Sequence, residues 1–61
     1  MNIYYGGMKV PIRISYDEET DVWIAVGEDI GLVLESESYE ELMKKVRIAV
    51  PEMIETNNVK N

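Results

Sequence analysis

The sequence of 61 residues contains no cysteine and no histidine. These absences exclude disulfide bonds, nucleophilic thiols and imidazole bases, and they remove the ligands of nearly every transition-metal or structural zinc site. No serine or threonine has a candidate base beside it, and the four glycines form no phosphate-binding pattern. We therefore expect a protein that is not an enzyme and that uses no cofactor and no metal.

Long apolar runs are also missing. No stretch approaches the roughly 20 apolar residues of a membrane-spanning helix, and residues 1–7 lack the basic and apolar regions of a signal peptide. A cytoplasmic protein without a membrane partner is predicted. A chain of this length buries only about 60% of its unfolded surface, so it has one marginal core. Without disulfides or zinc, oligomerisation or a protein partner is the remaining way to stabilise it, and we expect a homo-oligomer, a dimer or higher.

Basic residues are scarce in the first two thirds of the chain. Residues 1–41 contain ten acidic residues against Lys9 and Arg13, a net charge of −8 in a chain whose total is −6. Such a surface repels phosphate backbones, whose binding depends on Lys and Arg, so direct nucleic-acid binding is not expected. It favours a basic protein partner and a faster encounter with it. The alternative is that the acidity serves solubility alone.

Three segments have the patterns of β-strands. Residues 8–16 alternate apolar and polar side chains, which predicts one half-buried strand. Residues 17–21 form a polar turn. Residues 22–26 return with apolar side chains on both faces, which is typical of a central strand that is covered on each side. A second turn leads to the third strand at residues 32–36.

A single helix is predicted after the strands. Ser38 and Glu41 form a capping box, in which the serine oxygen accepts from a first-turn amide and the glutamate reaches back to the cap amide. Pro51 lacks a backbone donor and clashes with the preceding turn, so we expect a kinked continuation with Val50 pushed out of the helical region. Apolar residues recur at helical spacing and mark the helix face that packs on the sheet. They are Leu42, Val46, Ala49, Val50, Met53 and Ile54.

These elements predict an α+β fold, a three-stranded antiparallel β-meander followed by one helix packed on the sheet. Residues 8–57 form the single domain. Residues 1–7 are an N-terminal extension that is either disordered or an extra short strand, and residues 58–61 are a tail. Gly31, in the second turn, is expected to have a backbone conformation or a close contact that a side chain would forbid.

Trp23 is the most informative single side chain. It is either part of the core, where large aromatic residues dominate in small domains, or a partner anchor on the face opposite the helix, near Arg13. Alternation along the strand does not decide between these interpretations. One helix is too narrow to cover both faces of an apolar sheet, so we expect a second polypeptide on the other face. The predicted partner contacts are Trp23, Arg13, Asp17, Glu18, Glu28 and Asp29.

Four segments carry a resemblance to a known family. They are ISYDEETDVWIA at residues 14–25, EDIGLVLES at 28–36, YEEL at 39–42 and PEMIE at 51–55. With them the chain resembles the HicB-like antitoxin superfamily, in particular its short stand-alone branch. The resemblance implies a partial ribonuclease-H-like fold without the catalytic acids. It also implies an antitoxin that neutralises a small basic HicA-like mRNA interferase in a type II toxin–antitoxin system.

The chain departs from longer HicB antitoxins at its C-terminal side. Those proteins carry a DNA-binding domain, which the residues after Ile54 do not supply, so operator binding by this chain alone is not implied. Two other functions are compatible with the sequence: a structural oligomer without an outside ligand, and a degenerate ribonuclease-H-like nuclease that uses magnesium. Acidic side chains of the turn at residues 17–21, together with Glu35, would offer oxygen ligands to a divalent metal. Their spacing does not match a calcium-binding loop, and acidic turns are usually solvated, so we predict no metal site.

Overall fold

A computed structural model describes residues 1–58 of the chain. In chain order the elements are β1 Asn2–Tyr5, β2 Met8–Pro11, β3 Arg13–Asp17, β4 Val22–Gly27, a 3₁₀ segment Glu28–Ile30, β5 Leu32–Ser36 and α1 Tyr39–Asn58. Strands β3, β4 and β5 form an antiparallel sheet in that order, and β1 and β2 form a separate antiparallel pair. The predicted α+β fold, a three-stranded antiparallel meander followed by one helix, is confirmed.

The predicted first strand is divided in two. β2 pairs with β1, β3 pairs with β4, and Ile12 lies between them. Ile12 donates its N–H to the Met1 carbonyl at 2.7 Å, accepts from the Met1 amino group at 3.1 Å, and buries its side chain to 2% exposure. The expectation of one continuous strand is therefore wrong, because the chain changes its pairing partner at this residue. Of the two alternatives for residues 1–7, the structure has the extra short strand.

The helix begins after a serine cap. The Glu41 N–H donates to Oγ of Ser38 at 3.2 Å, as the capping box predicts. The Ser38 N–H donates to Oγ of Ser36 at 3.5 Å, so Ser36 takes the place predicted for the Glu41 side chain. The predicted tail, residues 58–61, lies outside the described residues except for Asn58, which ends α1. Within residues 1–58, no helix is long and apolar enough to cross a bilayer.

Pro51 lies inside α1 without ending it. Val50 stays helical and is fully buried, so the expectation that it leaves the helical region is wrong. An internal proline costs about 3 kcal/mol, whereas burying an aliphatic side chain contributes about 1.5–3 kcal/mol, and Val46, Val50 and Ile54 are all buried. The carbonyl that loses its donor belongs to Arg47, which is exposed, so water can replace the lost bond.

α1 packs on one face of the three-stranded sheet, and its later turns reach β1. Along β4, Ala25 and Gly27 are buried on the face of the sheet that α1 covers. A Cβ at Gly27 would lie 2.9 Å from Cδ1 of Ile12, so the Ile12 side chain would have to shift to admit it. Gly31 has a φ of 65° and open space around it, so of the two expected reasons for a glycine there the structure has the backbone conformation and not the close contact. The core consists of Val10, Ile12, Ala25, Ile30, Leu32, Leu42, Val46, Val50 and Ile54.

Candidate partner-binding surface

The face of the three-stranded sheet that is turned away from α1 is called the open face. Directly opposite residues in an antiparallel ladder point to the same side, and successive residues of a strand point to opposite sides. Because Ala25 and Gly27 lie beneath the helix, the alternate residues of β4 and their ladder partners belong to the open face. The open face consists of Arg13, Ser15, Asp17, Val22, Ile24, Val26, Val33 and Glu35.

Four aliphatic side chains of the open face form what we call the apolar stripe: Val22, Ile24, Val26 and Val33. Val33 is 65% exposed, and the three residues of β4 are half-buried by their neighbours in the sheet. In the described part of the chain, none of the four belongs to the core or packs against it. A contiguous apolar surface with a polar rim is typical of a protein interaction site.

Trp23 lies on the helix-covered face. Its ring centroid is 5.1 Å from that of Tyr16 and 5.2 Å from that of Tyr39, the first residue of α1, and it packs against the core. Of the two interpretations that the sequence left open for Trp23, the structure therefore has the core position and not the face opposite the helix. The physical reason is alternation, since Trp23 shares a face with Ala25, whose small side chain admits the helix. The sheet separates Trp23 from the apolar stripe.

The acidic turn, residues 17–21, is held together by the Asp17 carboxylate. Its two oxygens accept from the Glu19 N–H and the Thr20 hydroxyl, each at 3.0 Å. The Asp17 carbonyl accepts from the Asp21 N–H at 2.8 Å, and Asp21 has a φ of 58°, a left-handed conformation that Asp adopts more readily than most residues. In residues 1–58, no group of three or more His, Cys, Asp or Glu residues is placed to hold a metal ion.

Arg13 and Glu28 form an ion pair at the other end of β3. Nη2 of Arg13 donates to Oε2 of Glu28 at 2.7 Å, and the two side chains are 72% and 73% exposed. An exposed pair of this kind contributes only about 0–1 kcal/mol to stability, so both groups remain available to a partner. Asp29 follows in the 3₁₀ segment, and all three side chains border a shallow depression of about 240 Å³.

The structure divides the six predicted contact residues among three places. Arg13, Glu28 and Asp29 lie together at the start of β3. Asp17 and the exposed Glu18 lie at its end, about 13 Å away at the usual rise of a strand. The tryptophan lies on the opposite face. Two charged groups therefore flank the apolar stripe, whose centre consists of aliphatic side chains and not of the tryptophan.

Two tyrosine hydroxyls are bound to carboxylates. The Tyr16 hydroxyl donates to Oδ1 of Asp21 at 2.9 Å, and this bond raises the pKa of Tyr16 above its ordinary value. The Tyr5 hydroxyl donates to Oε2 of Glu55 at 2.6 Å and has a raised pKa for the same reason. The first contact fastens the acidic turn to β3, and the second fastens β1 to α1.

One contact near the open face could not be predicted from the sequence. Nζ of Lys45 donates to the carbonyl of Glu35 at 3.0 Å, at the outer edge of β5. No local pattern reveals this contact, because it depends on how α1 lies over the sheet. The apolar stripe had a signal in the sequence, the alternation of residues 22–26. That alternation distinguishes two apolar sets, and the position of the helix decides which of them stays uncovered.

The chain matches a protein-family model over most of its length. The model of a family described as a domain of unknown function, DUF1902, matches residues 9–61. The matched segment begins within β2 and includes β3, β4, β5 and the described part of α1. Comparisons with curated proteins and with solved structures gave no match.

Proposed function

The chain belongs to the family described as a domain of unknown function, DUF1902, and we propose that this member is a non-catalytic protein-binding module of the HicB-like antitoxin kind. Its proposed partner is a small basic HicA-like mRNA interferase, which it neutralises by binding. The resemblance of the segments between residues 14 and 55 to HicB-like antitoxins supports the proposal. The surface chemistry of the open face supports it independently.

The apolar stripe beside charged groups is the observation that carries the proposal. Stable protein interfaces combine a desolvated apolar centre with a polar rim. On the open face Ile24 and Val33 supply such a centre, and Arg13, Asp17 and Glu35 supply the rim. An interferase docked on this face would bury side chains that the described chain leaves in contact with water.

The charge distribution favours a basic partner. Val22, at one end of the apolar stripe, is opposite Asp17, the first residue of the acidic turn. A protein seated on the stripe therefore meets a cluster of carboxylates at that end. With a net charge of −6, the chain also attracts a basic protein over a longer range. This attraction raises the association rate and weakens as salt is added.

The proposal is tested by titrating the chain into an RNA-cleavage assay of a HicA-like interferase. Val33→Glu places a charge on the apolar stripe, and we expect inhibition to weaken by about tenfold or more. Ile48→Glu is the matched control, because Ile48 is also 65% exposed but lies on α1. It should inhibit as well as the parent chain. Equal inhibition by the two variants, or no inhibition by a stoichiometric amount of the parent chain, overturns the proposal.

A second pair of substitutions tests whether charge speeds association with the interferase. Glu28→Lys combined with Asp29→Lys reverses two charges at one end of the open face and releases Arg13 from its ion pair. We expect slower association with the interferase and a flatter dependence on salt. Association kinetics that do not change would count against electrostatic attraction as the reason for the acidic surface.

A further inference from the structure

The two outer edges of the three-stranded sheet differ in how they are covered. At the β5 edge, Lys45 donates to the Glu35 carbonyl at 3.0 Å, and a lysine at an edge is a common barrier to strand addition. At the β3 edge, within residues 1–58, β4 is the one strand that pairs with β3. β3 contains neither proline nor lysine. Because an edge strand directs alternate N–H and C=O groups away from its sheet, β3 offers a ladder to another strand.

The residues of β3 are complementary to the same residues taken in the opposite direction. We propose that β3 pairs antiparallel with β3 of a second copy of this chain, with Ser15 opposite the copy's Ser15. Arg13 then lies opposite the copy's Asp17, and Ile14 lies opposite the copy's Tyr16. Two-fold symmetry repeats each of these pairs. Pairs of opposite charge and pairs of an aromatic with a β-branched residue both stabilise antiparallel strands.

This register suits the backbone of β3. Each paired residue is an even number of positions from its counterpart, so the groups that point out of one edge meet the groups that point out of the other. Paired residues also share a face, which places both helices on one side of a continuous six-stranded sheet. Tyr16 is 45% exposed and Ile14 is half-buried, so pairing buries further apolar area beside Trp23.

Arg13 and Asp17 can each form a further hydrogen bond across the proposed dimer. Arg13 uses Nη2 for its bond to Glu28, and a guanidinium carries five N–H donors. Asp17 accepts one bond on each carboxylate oxygen within its own turn, and each oxygen has a second lone pair. The copy's Asp17 can therefore accept from Arg13 without dismantling either the ion pair or the acidic turn.

The pairing leaves the apolar stripe free. Both open faces lie on the same side of the dimer, so two stripes stand side by side for protein partners. The inference does not rest on the proposed function, because self-association is measured without an interferase. A ladder of five residues per chain is small for an interface, so a weak dimer that depends on concentration is expected.

A cysteine introduced into this cysteine-free chain tests the register. Ser15→Cys places two thiols opposite each other, with Cβ atoms about 4.5–5.5 Å apart, and mild oxidation should link them about tenfold faster than in Glu35→Cys. Glu35 is the matched control, since it is exposed and lies on the same row and face as Ser15, two strands away. Equal rates would indicate association through the open face or random collision and would overturn the proposal.

Sedimentation equilibrium supplies a second readout that needs no cysteine. The parent chain should pass from monomer to dimer between about 10 µM and about 1 mM, as small interfaces do. Arg13→Glu places like charges opposite each other in both pairs and should raise the dimer dissociation constant about tenfold. Lys9→Glu makes the same charge change outside β3 and should leave it within about twofold. A parent chain that stays monomeric throughout, or equal effects of the two variants, overturns the pairing.

Discussion

The covered face of β4 includes two small residues, whereas the open face of this strand carries only branched aliphatic ones. Ala25 and Gly27 are small and buried, beside the larger Trp23 at the start of the strand, and a Cβ at Gly27 would come within 2.9 Å of Ile12. The open face has branched aliphatic residues at the alternate positions, Val22, Ile24 and Val26. Small residues let a packed element approach the strand closely, and interiors are filled at high density. Apolar character alone therefore does not identify the packed face of this sheet, whereas the small residues Ala25 and Gly27 do.

The two faces therefore contribute differently to stability and to binding. The covered face supplies the buried apolar area that holds the chain folded. The open face keeps aliphatic side chains in partial contact with water, so they add less to the free energy of unfolding and remain available for binding. Substitutions of similar chemistry on the two faces should therefore have unequal effects on stability.

Truncation in the core between α1 and the sheet should have the largest effect. Leu42 is fully buried, and Leu42→Ala removes apolar area and leaves a cavity, at a cost of about 2–5 kcal/mol in the free energy of unfolding. The total free energy of unfolding of a small domain is little more than about 5 kcal/mol, so a large fraction of this variant should be unfolded. Urea titration followed by Trp23 fluorescence measures the loss, because the Trp23 ring contacts the first residue of α1.

Val33→Ala is the matched truncation on the open face. Val33 is 65% exposed and does not belong to the core, so we expect a loss of no more than about 0.5 kcal/mol. The same titration applies. Losses of equal size at Leu42 and Val33 would mean that the open face is also packed in solution, and the contrast between the faces would disappear.

The fold was predictable where local pattern decides it. Turn residues and alternation identified the three strands of the main sheet, and helical spacing identified α1. The break at Ile12 was missed because the alternation continues through it, while the change of pairing partner depends on β1, which lies outside the alternating segment. The expectation for Val50 was wrong because a local rule about proline was applied to a residue whose burial decides its conformation.

The candidate surface was predictable in chemistry and less so in position. The count of acids indicated a basic partner, and the two-sided apolar strand indicated an uncovered face. Which face is uncovered depends on where the helix lies. Because β4 has an apolar set on each face, its alternation does not show which set the helix covers. Large aromatic residues are typical of interfaces, which favours Trp23 as a contact, although the small Ala25 beside it on the same face indicates the packed side.

Gly27→Ala tests close packing on the covered face at a smaller scale. The new Cβ would meet Cδ1 of Ile12 at 2.9 Å, whereas its contacts with Ile30 and Leu32 at 3.5 Å are ordinary, so the buried Ile12 side chain has to shift, at a cost of about 1 kcal/mol. Gly31→Ala is the control, because the space around Gly31 is open and only its φ of 65° opposes a side chain, at about 1–2 kcal/mol.

Asparagine substitutions distinguish steric contact from backbone conformation as the cause of a loss in the free energy of unfolding, which urea titrations measure. Asn tolerates the left-handed conformation, so Gly31→Asn should be more stable than Gly31→Ala. At Gly27 the larger side chain should be worse than alanine, since steric contact is the cause there. A gain on going from alanine to asparagine at Gly27 would contradict close packing at that position.

The smallest expected effect concerns the contact of Tyr5 with Glu55. This bond raises the pKa of Tyr5, so the folded chain holds the phenolic proton more tightly than the unfolded chain does. The contribution to stability is therefore fully present below the unfolded pKa of about 10 and is lost as pH rises through the folded pKa. Tyr5→Phe should be less stable than the parent chain at neutral pH, and the difference should shrink in strong base.

Tyr16→Phe is the control, because Tyr16 donates to Asp21 and its pKa is raised in the same way. Its partner is five residues away, whereas Glu55 is 50 residues from Tyr5. A contact between near neighbours persists in part in the unfolded chain, so Tyr16→Phe should change the free energy of unfolding less than Tyr5→Phe. Urea titrations at about pH 8 and about pH 11 measure both differences. A Tyr5→Phe difference of the same size at the two pH values would assign the effect to ring packing on α1 and not to the hydroxyl.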